Sequence, residues 1–521
     1  MGNTQARPKL NRPARTPARP AEPPRDTAWV QAMVITAAAG LVRLVIGALT
    51  PLFPDETYYW EWSRRLDASF FDHPPMIAWL IRAGTAIAGH TAFGVRLFPI
   101  VAGLFAGWFV ILAARRLGGS SAALVAAMIF ALMPLSAAGL ILATPDAPLF
   151  AASAACVYCV LRALGATEGR AALLWWCLSG LALGLAMMSK YTAVLLALGV
   201  FVAVVALREL RPQLASPGPY LATVIAVVVF TPVIVWNAQH DWASFAFQLQ
   251  HGLGGVGGTV IGRELELLGG QLGLVTPILF VMLVVAAVRA RSSTHGLLAI
   301  AGGVVFAFFM YSATRRRVEA NWPALAYVPG IILVAAYAGG SAWRKWMRAG
   351  LALAGLLTVV TYVNTFTPVL PVPARRDPVA RSAGWNLLAA EVHRIHGPRL
   401  PISSYRTWVA ATRYQETSEL AFHLPDNPEV FALNLTTRPN QYDFWPSFTD
   451  RAQPRDGLIL VADEVADTSP VVEILRPHFE LARRDSMVTL ARDGDPVKYV
   501  RIWVLDRWRG TWPEAQLRSR P

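Results

Sequence analysis

The chain has 521 residues, of which 55% are hydrophobic and 15% are charged, and its mean hydropathy is +0.42. This composition excludes an ordinary soluble globular protein and indicates a chain that crosses a membrane many times. The formal net charge of +14 would fit a nucleic-acid-binding protein, but the basic residues are scattered over loops and tails, where they set membrane topology. We therefore expect no nucleic acid among its partners.

The first 27 residues are rich in proline, alanine and arginine, which predicts a disordered basic tail. They do not resemble a cleavable signal, because the apolar segment that follows is long and lacks a clear small-residue cleavage site. Cys156, Cys159 and Cys177 all fall within predicted spans, so free buried thiols are expected there.

Apolar runs of about 20 residues, the length that crosses a bilayer, recur from Ala28 to Phe366. The runs lack the alternation of barrel strands, and lipid leaves no backbone polar group a partner outside the segment, so they predict helices. The predicted spans are 28–50, 92–114, 120–141, 146–163, 171–188, 191–207, 219–237, 270–288, 296–313, 322–339 and 347–366.

Charge in the loops sets the orientation. The tail is basic, and with eleven spans each even-numbered loop is basic too, which places the amino terminus in the cytoplasm. Counting Pro74–Gly89 as a span would move the basic loops outside, and it contains Arg82, so we interpret it as an interfacial helix on the outer surface. A second short helix is predicted around Glu56–Leu66.

The first outer loop contains Asp55-Glu56 directly after the first span, and Asp72-His73-Pro74-Pro75 seventeen residues later. Carboxylates beside a membrane are costly to desolvate and do not help insertion, so we expect them to do chemistry at the lipid–water boundary. Two alternatives stay open: Asp55 caps the helix that follows, and Asp72 either orients a cation such as His73 or is itself a helix cap.

Two other outer loops are basic against the usual rule. Lys190 lies between two closely spaced spans, and Arg315, Arg316 and Arg317 follow the ninth span directly. One such arginine is explained by anchoring to lipid phosphates. The group as a whole indicates an anionic ligand, since guanidinium forks match phosphate oxygens.

After about Pro368 the apolar runs stop, which predicts a soluble α/β domain of about 150 residues on the outer face. Strands are predicted at 430–435, 458–462 and 497–505, and a helix at 410–424. The segment Gln441–Trp445 is a polar and aromatic cluster that either stacks on sugar rings or forms a packing corner.

Several motifs together resemble those of GT-C glycosyltransferases, and most of all the bacterial family 39/83 group that is related to protein O-mannosyltransferases. They are Asp55-Glu56-Thr57-Tyr58-Tyr59-Trp60, Asp72-His73-Pro74-Pro75, Thr144-Pro145-Asp146, Ser189-Lys190-Tyr191, Asn321-Trp322-Pro323-Ala324 and Arg413-Tyr414-Gln415. The combination is most similar to the lipid A galacturonosyltransferase-like branch of that group, which also includes aminoarabinose transferases.

The resemblance implies a donor sugar carried on a polyprenyl phosphate and catalytic carboxylates at Asp55 and Asp146. With the charge pattern, we assign binding of the substrate or its phosphate to Glu56, Tyr59, Asp72, His73, Lys190, Arg315, Arg316 and Arg317. For Glu56, a structural role is favoured over a catalytic one. Aminoarabinose transferases have lysine where this chain has His73, and histidine is cationic only part of the time near neutral pH. Lys190 or the three arginines would then compensate.

The expected fold is a polytopic α-helical membrane protein with about 11 transmembrane helices of GT-C type and a carboxyl-terminal soluble α/β domain. Its expected parts are a cytoplasmic tail (1–27), a transmembrane catalytic domain (28–367) with an outer loop at 51–91, and a periplasmic domain (368–521). The expected location is the bacterial inner membrane.

The expected activity is inverting transfer of a sugar to an envelope acceptor on the periplasmic face: lipid A, lipopolysaccharide core, or a related glycan or glycolipid. A protein O-mannosyltransferase-like enzyme is the main alternative, and a flippase or transporter of lipid-linked sugars is another. The expected partners are the polyprenyl-phosphate donor, the envelope acceptor and membrane lipids. No cofactor is required for this reaction, and nothing in the sequence supports a divalent metal.

Overall fold

The structure is a computed structural model, and it describes residues 26–166, 169–253, 259–337, 341–397, 405–436, 438–462 and 469–513. The predicted disordered tail therefore lies outside the described residues, apart from its last two. Of these, Asp26 accepts a hydrogen bond from the backbone N–H of Trp29 and so caps the first helix.

The amino-terminal two thirds of the chain is helical. Its α-helices are α1 (Thr27–Leu49), α2 (Pro54–Arg64), α3 (Met76–Ala88), α4 (Ala92–Leu132), α5 (Pro134–Gly139), α6 (Asp146–Leu164), α7 (Gly169–Met187), α8 (Ala193–Ala206), α9 (Pro217–Gln239), α10 (Ala243–Leu253), α11 (Val260–Val275), α12 (Pro277–Val288), α13 (Ser293–Arg315), α14 (Tyr327–Ala336) and α15 (Ser341–Phe366). Short 3-10 helices occupy Arg208–Ala215 and Trp322–Ala326.

Seven of the described helices are long and apolar enough to cross a membrane, or up to nine if two sharply bent pairs each count as one span. In addition, α4 folds back on itself at Gly118 and Gly119, where Gly119 has a φ of +70°. A side chain at Gly107 would lie 3.1 Å from Phe130, whereas a straight helix would separate these residues by about 34 Å. With this hairpin and the short apolar helix at 322–336, the structure accounts for the eleven predicted segments.

Two predicted span boundaries were wrong. The span predicted at 120–141 breaks after Leu132. Pro134 lacks the N–H that would continue the helix, and Met133 before it is extended, so that a new helix, α5, begins at Pro134. The span predicted at 270–288 begins ten residues earlier, at Val260, and breaks at Thr276, where the chain bends by 102° between α11 and α12.

Arg43 is a cation inside a predicted span, the kind of residue expected in a transporter. It is fully buried and donates to the carbonyl of Phe130 at 3.0 Å and to that of Ala137 at 3.4 Å. These carbonyls lie where α4 gives way to α5, and backbone oxygens freed in lipid need a donor. The role that the structure gives Arg43 is therefore to satisfy a helix break.

The carboxyl-terminal part is a five-stranded mixed sheet with helices. Its strands are β1 (Thr407–Ala411), β2 (Val430–Ala432), β3 (Gly457–Ala462), β4 (Phe479–Arg492) and β5 (Asp495–Trp508). The order is β2-β1-β3-β5-β4, with the first three parallel and β5 antiparallel to both its neighbours. Four α-helices accompany it: α16 (Trp385–His396), α17 (Tyr414–His423), α18 (Phe448–Arg451) and α19 (Pro470–Leu475).

The three predicted strands are present, although β2 is shorter than expected. The helix predicted at 410–424 was wrong at its start, because Ala410 and Ala411 belong to β1 and α17 begins only at Tyr414. Alanine favours helix by propensity, but here these residues are buried between two parallel strands, and tertiary pairing overrides propensity.

The two parts of the protein share one hydrophobic core. One face of the sheet, together with α16 and α17, packs against the aromatic side chains Tyr58, Trp60 and Trp62 of α2 and against α3. Across this contact, the hydroxyls of Thr57 and Ser418 lie 3.0 Å apart. The other face of the sheet has its own core. This shared core holds α17 directly against the amino-terminal end of α2.

Candidate active site

Asp55 lies in the first turn of α2. Pro54 begins the helix, since its fixed φ suits that position and its missing N–H is not needed there. The Asp55 carboxylate thus sits at the positive end of the helix dipole. Its Oδ1 accepts a hydrogen bond from the hydroxyl of Tyr414 at 3.3 Å. An acid from the first loop and a phenol from the carboxyl-terminal domain therefore meet here.

The side chain of Asp55 reaches solvent, although protein atoms surround much of it. Burial raises the pKa of its carboxyl above the usual value, and the neighbouring carboxylate of Asp72 raises it further. Tyr414, Arg381 and Arg438 act in the opposite direction. A carboxylate with a raised pKa is a stronger base, which suits proton abstraction from a hydroxyl.

Asp72 is buried beside Asp55 and is held from two sides. Its Oδ2 accepts a hydrogen bond from the hydroxyl of Tyr58 at 2.6 Å, and its Oδ1 accepts one from Nη1 of Arg438 at 3.0 Å. The structure therefore places Asp72 as the partner of a cation, one of the two roles left open, although the cation is Arg438. His73 is half-buried, with its ring 6.1 Å from that of Tyr59.

Asp146 is the first residue of α6 and, like Asp55, directly follows a proline. The ammonium of Lys190 lies 2.7 Å from its Oδ1, and the side-chain amide of Asn321 donates to its Oδ2 at 3.1 Å. The ion pair is largely shielded from water, with 12% of the Lys190 side chain and 16% of the Asp146 side chain exposed. Three separate connecting segments thus converge at this carboxylate.

Tyr59 connects the two acidic positions. Burial raises the pKa of its hydroxyl well above the usual value, and the carboxylates of Asp55, Asp72 and Asp146 all raise it further. Electrostatic interactions weaken with distance, so all three carboxylates lie in the neighbourhood of Tyr59. Together with the donors Tyr414, Arg438 and Lys190, they form the candidate site.

The side chains of the three consecutive arginines contact different parts of the protein. Arg315 reaches back to the hydroxyl of Tyr311 at 3.1 Å, and Arg317 pairs with Glu266 at 2.7 Å, both at exposed positions. Arg316 is half-buried, donates to the carbonyl of Gln250 at 3.1 Å, and lies over the ring of Trp322. Trp322 directly follows Asn321, and Asn321 donates to Asp146. Of the three arginines, Arg316 is therefore the one that contacts a neighbour of the Asp146 site.

Glu56 does not join the candidate site formed by Asp55, Asp72 and Asp146. Its carboxylate is buried and contacts Nη2 of Arg96 at 2.5 Å and Nε at 2.7 Å, and it accepts backbone N–H groups from Phe53 and Ala143. Arg96 also binds the carbonyls at the carboxyl-terminal end of α1. The structure thus gives Glu56 the role of joining α1, α2, α4 and the segment before α6.

Sequence reasoning missed Arg438 and Arg381, which both lie within electrostatic reach of Asp55. Tyr414 and Asn321 belong to quoted motifs but had no assigned role. A signal existed for these two, since each lies in a short polar and aromatic motif. No signal existed for Arg438, an isolated arginine in a loop.

The polar and aromatic cluster at 441–445 makes packing contacts, and its Tyr442, Asp443 and Trp445 also line a pocket, so stacking on sugar rings stays a prediction. Gln441 accepts the backbone N–H of Phe71, and Tyr442 is buried against the ring of Tyr58. The guanidinium of Arg65 lies over the indole of Trp445, 4.5 Å from the centre of the indole ring. Within the described ranges, no group of three or more His, Cys, Asp or Glu side chains is placed to hold a metal ion.

A sequence profile of the family described as dolichyl-phosphate-mannose-protein mannosyltransferase matches residues 72–236. The chain is 29% identical over 326 residues to the lipid A galacturonosyltransferase RgtD of Rhizobium johnstonii. This alignment covers 61% of this chain and 67% of the relative. It is 28% identical over 214 residues to an undecaprenyl phosphate-alpha-4-amino-4-deoxy-L-arabinose arabinosyl transferase of Proteus mirabilis. That second match spans only 38% of each chain.

Among solved structures, the protein is similar to ArnT from Cupriavidus metallidurans bound to undecaprenyl phosphate. The TM-score is 0.65 at 18% sequence identity, and the match covers 92% of this chain and 98% of that one. The chain has the GT-C fold. The resemblance, fold class and enzyme class predicted from the sequence are therefore confirmed, and the protein is a multi-pass membrane protein with the GT-C architecture.

Proposed function

We propose that this protein transfers a sugar from a polyprenyl-phosphate donor to a hydroxyl of an envelope glycolipid, with inversion at the anomeric carbon. The observation that carries the proposal is that each acid has a neighbouring donor or cation: Tyr414 at Asp55, Arg438 at Asp72 and Lys190 at Asp146. Acids for the acceptor and cations for the departing phosphate are the two requirements of the reaction. Both are met at one end of an apolar helical bundle, where a lipid-linked donor has access.

In the proposed reaction, the acceptor hydroxyl attacks the anomeric carbon of the donor sugar. The bond from that carbon to the phosphate oxygen breaks, and its electron pair leaves with the polyprenyl phosphate. Asp55 takes the hydroxyl proton, a role that fits its raised pKa. Lys190 and Arg316 stabilise the negative charge on the leaving phosphate, and Asp146 positions the Lys190 ammonium.

Lipid A or the lipopolysaccharide core is the acceptor we favour, because RgtD is named for transfer to lipid A. A protein O-mannosyltransferase-like activity is the second candidate, and the profile match over residues 72–236 supports it. Mass spectrometry of envelope lipids and glycans from a deletion strain separates the two: lipid A or core lacking one sugar supports the first, and loss of a protein-linked sugar supports the second.

The decisive test of the proposed chemistry is Asp55→Asn in purified protein supplied with undecaprenyl-phosphate-linked sugars. Losing a general base lowers turnover by about 10²–10⁴-fold, whereas losing a helix cap costs about 1 kcal/mol of stability and leaves most activity. Asp493→Asn, in the exposed turn between β4 and β5, is the matched control, because asparagine tolerates its φ of +49°. Near-normal turnover of Asp55→Asn would refute the assignment.

We further propose an inner-membrane topology with the 1–27 tail in the cytoplasm, the catalytic domain over 28–367, and the 368–521 domain in the periplasm. The alternation of basic loops supports this orientation. Reporter fusions after Arg116 and after Pro371 should report cytoplasmic and periplasmic positions, respectively. The reverse pair of signals would contradict it.

A further inference from the structure

Arg438 comes from the carboxyl-terminal domain and reaches Asp72 of the first loop, 366 positions away in sequence. Its Nη1 donates to Oδ1 of Asp72 at 3.0 Å and to the carbonyl of Pro439 at 3.2 Å. Both hydrogen bonds use Nη1, and the hydroxyl of Tyr414 interacts with the guanidinium as well. A guanidinium has five N–H donors in a planar fork, so donors remain for a ligand. The side chain is 43% exposed, so a ligand can reach it.

Two aromatic rings fix the position of this guanidinium. Its central carbon lies 5.1 Å from the ring centre of Phe247 and 5.5 Å from that of Tyr414. Stacking of this kind stabilises the charge and restricts rotation of the fork. Tyr414 also donates to Asp55. The cation is therefore held one side chain away from the proposed catalytic base.

Asp72 has a second hydrogen-bond donor besides Arg438. Asp72 keeps the hydrogen bond from the hydroxyl of Tyr58, at 2.6 Å, when Arg438 turns to another anion. Leaving a buried carboxylate with no donor would be costly. The hydrogen bond from Tyr58 lowers this cost, so Arg438 can turn from Asp72 toward a ligand anion more easily than from a carboxylate with no other donor.

We propose that Arg438 is a substrate-binding residue whose guanidinium fork, released from Asp72, binds an anionic oxygen group of the substrate beside Asp55. The inference rests on the proposed function and deepens it, since it assigns the substrate a second recognised feature. Two sources share this chemistry: the phosphate of the donor and a carboxylate on the transferred sugar. Bidentate recognition by arginine fits either group.

The first experiment measures binding of undecaprenyl phosphate alone to the full-length protein, comparing wild type, Arg438→Gln and Arg438→Lys. If the phosphate is the ligand, Arg438→Gln weakens binding by about 10- to 100-fold, as expected for a charge-assisted hydrogen bond. Arg438→Lys keeps the charge but loses the fork, so its affinity lies between the two. Wild-type affinity in Arg438→Gln assigns the anion to the sugar instead.

The second experiment compares kcat/KM for undecaprenyl-phosphate donors that carry a uronic acid or the matching neutral hexose. If the carboxylate is the ligand, Arg438→Gln abolishes a preference of about 10- to 100-fold for the uronic acid. A folded Arg438→Gln variant with wild-type undecaprenyl phosphate affinity and wild-type donor preference would overturn the proposal.

Asp72→Asn separates ligand binding from a purely structural contact. Removing the competing carboxylate should leave undecaprenyl phosphate binding at least as tight as in the wild type. If the pair only joins the two domains, Asp72→Asn and Arg438→Gln weaken binding equally, which contradicts the proposal. Absence of turnover with every donor would defeat the proposed function, yet the binding experiment would still test Arg438.

Discussion

The ammonium of Lys190 lies 2.7 Å from Oδ1 of Asp146, in a contact largely shielded from water. The other oxygen of Asp146 accepts a hydrogen bond from the side-chain amide of Asn321, so both oxygens already have donors. These contacts favour a division of labour between Asp55 and Asp146. Asp55 is suited to accept the proton, whereas Asp146 holds a cation in place.

Removing either member of this pair should reduce turnover by a similar amount. Lys190→Ala deprives the leaving phosphate of a charge-assisted hydrogen bond of about 1.5–3 kcal/mol, and Asp146→Asn leaves the ammonium without its anchor. Because both changes act through one interaction, the double variant should be little worse than the worse single variant. Additive losses in kcat would contradict the assignment of Asp146 as a positioning residue.

Among the three consecutive arginines, Arg316→Ala should weaken donor binding most. Its side chain lies against Trp322, next to Asn321, a partner of Asp146, whereas Arg315 and Arg317 contact Tyr311 and Glu266 at exposed positions. Donor KM and kcat for the three alanine variants test this ranking. Equal effects at all three positions would indicate a general attraction to lipid phosphates.

Glu56→Gln should destabilise the protein by about 3–5 kcal/mol, because it leaves the charge of Arg96 buried without its partner. Each side chain of this pair is only 1% exposed. Glu266→Gln is the control, since its pair with Arg317 is 66% and 50% exposed and such surface pairs contribute about 0–1 kcal/mol. Thermal unfolding in detergent should show a large loss for the first variant and little change for the second.

Tyr414→Phe should move the acidic limb of the pH–rate profile to higher pH. Asp55 acts as a base only when ionised, so kcat/KM falls as the pH drops through its pKa. Burial already raises that pKa, and the hydrogen bond from Tyr414 partly counteracts it. Its removal raises the pKa further. Tyr405→Phe, on the exposed surface of the same domain, should leave the profile unchanged; a limb moved to lower pH in Tyr414→Phe would refute this account.

Glu419 should make the contact between α17 and α2 sensitive to pH. Burial raises the pKa of its carboxyl from 4.5 to about 7, while His423 acts to lower it. Because the folded-state pKa is the higher one, the stability it contributes is complete below pH 4.5 and is lost as the pH rises through 7. The loss is on the order of 3 kcal/mol.

Glu419→Gln removes the titrating group and should flatten this dependence. Melting temperatures measured between pH 4.5 and 8 in detergent compare the variant with wild type. His423→Gln is measured as a second variant, because it changes the neighbouring side chain and leaves the titrating carboxyl of Glu419 in place. An unchanged slope in Glu419→Gln would assign the pH dependence to other groups.

The local sequence pattern predicted the helices and the positions of two acids, because hydropathy and proline both influence structure within a few residues. Asp55 and Asp146 each follow a proline at a helix start, so their positions could be predicted from sequence. Arg438 could not be predicted, since its contact with Asp72 joins residues 366 positions apart. Such a pairing depends on how the sheet packs on α2, about which periodicity contains no information.

The hydrophobic core shared by α2, α3 and the sheet limits how this architecture can be recombined. A chimera that exchanges only the region after Pro368 would place foreign side chains against Tyr58, Trp60 and Trp62. Residues 51–91 and the carboxyl-terminal domain therefore have to be exchanged together, although nearly 300 residues of helical bundle separate them in the chain. Transplanting acceptor preference between relatives would require moving both segments together.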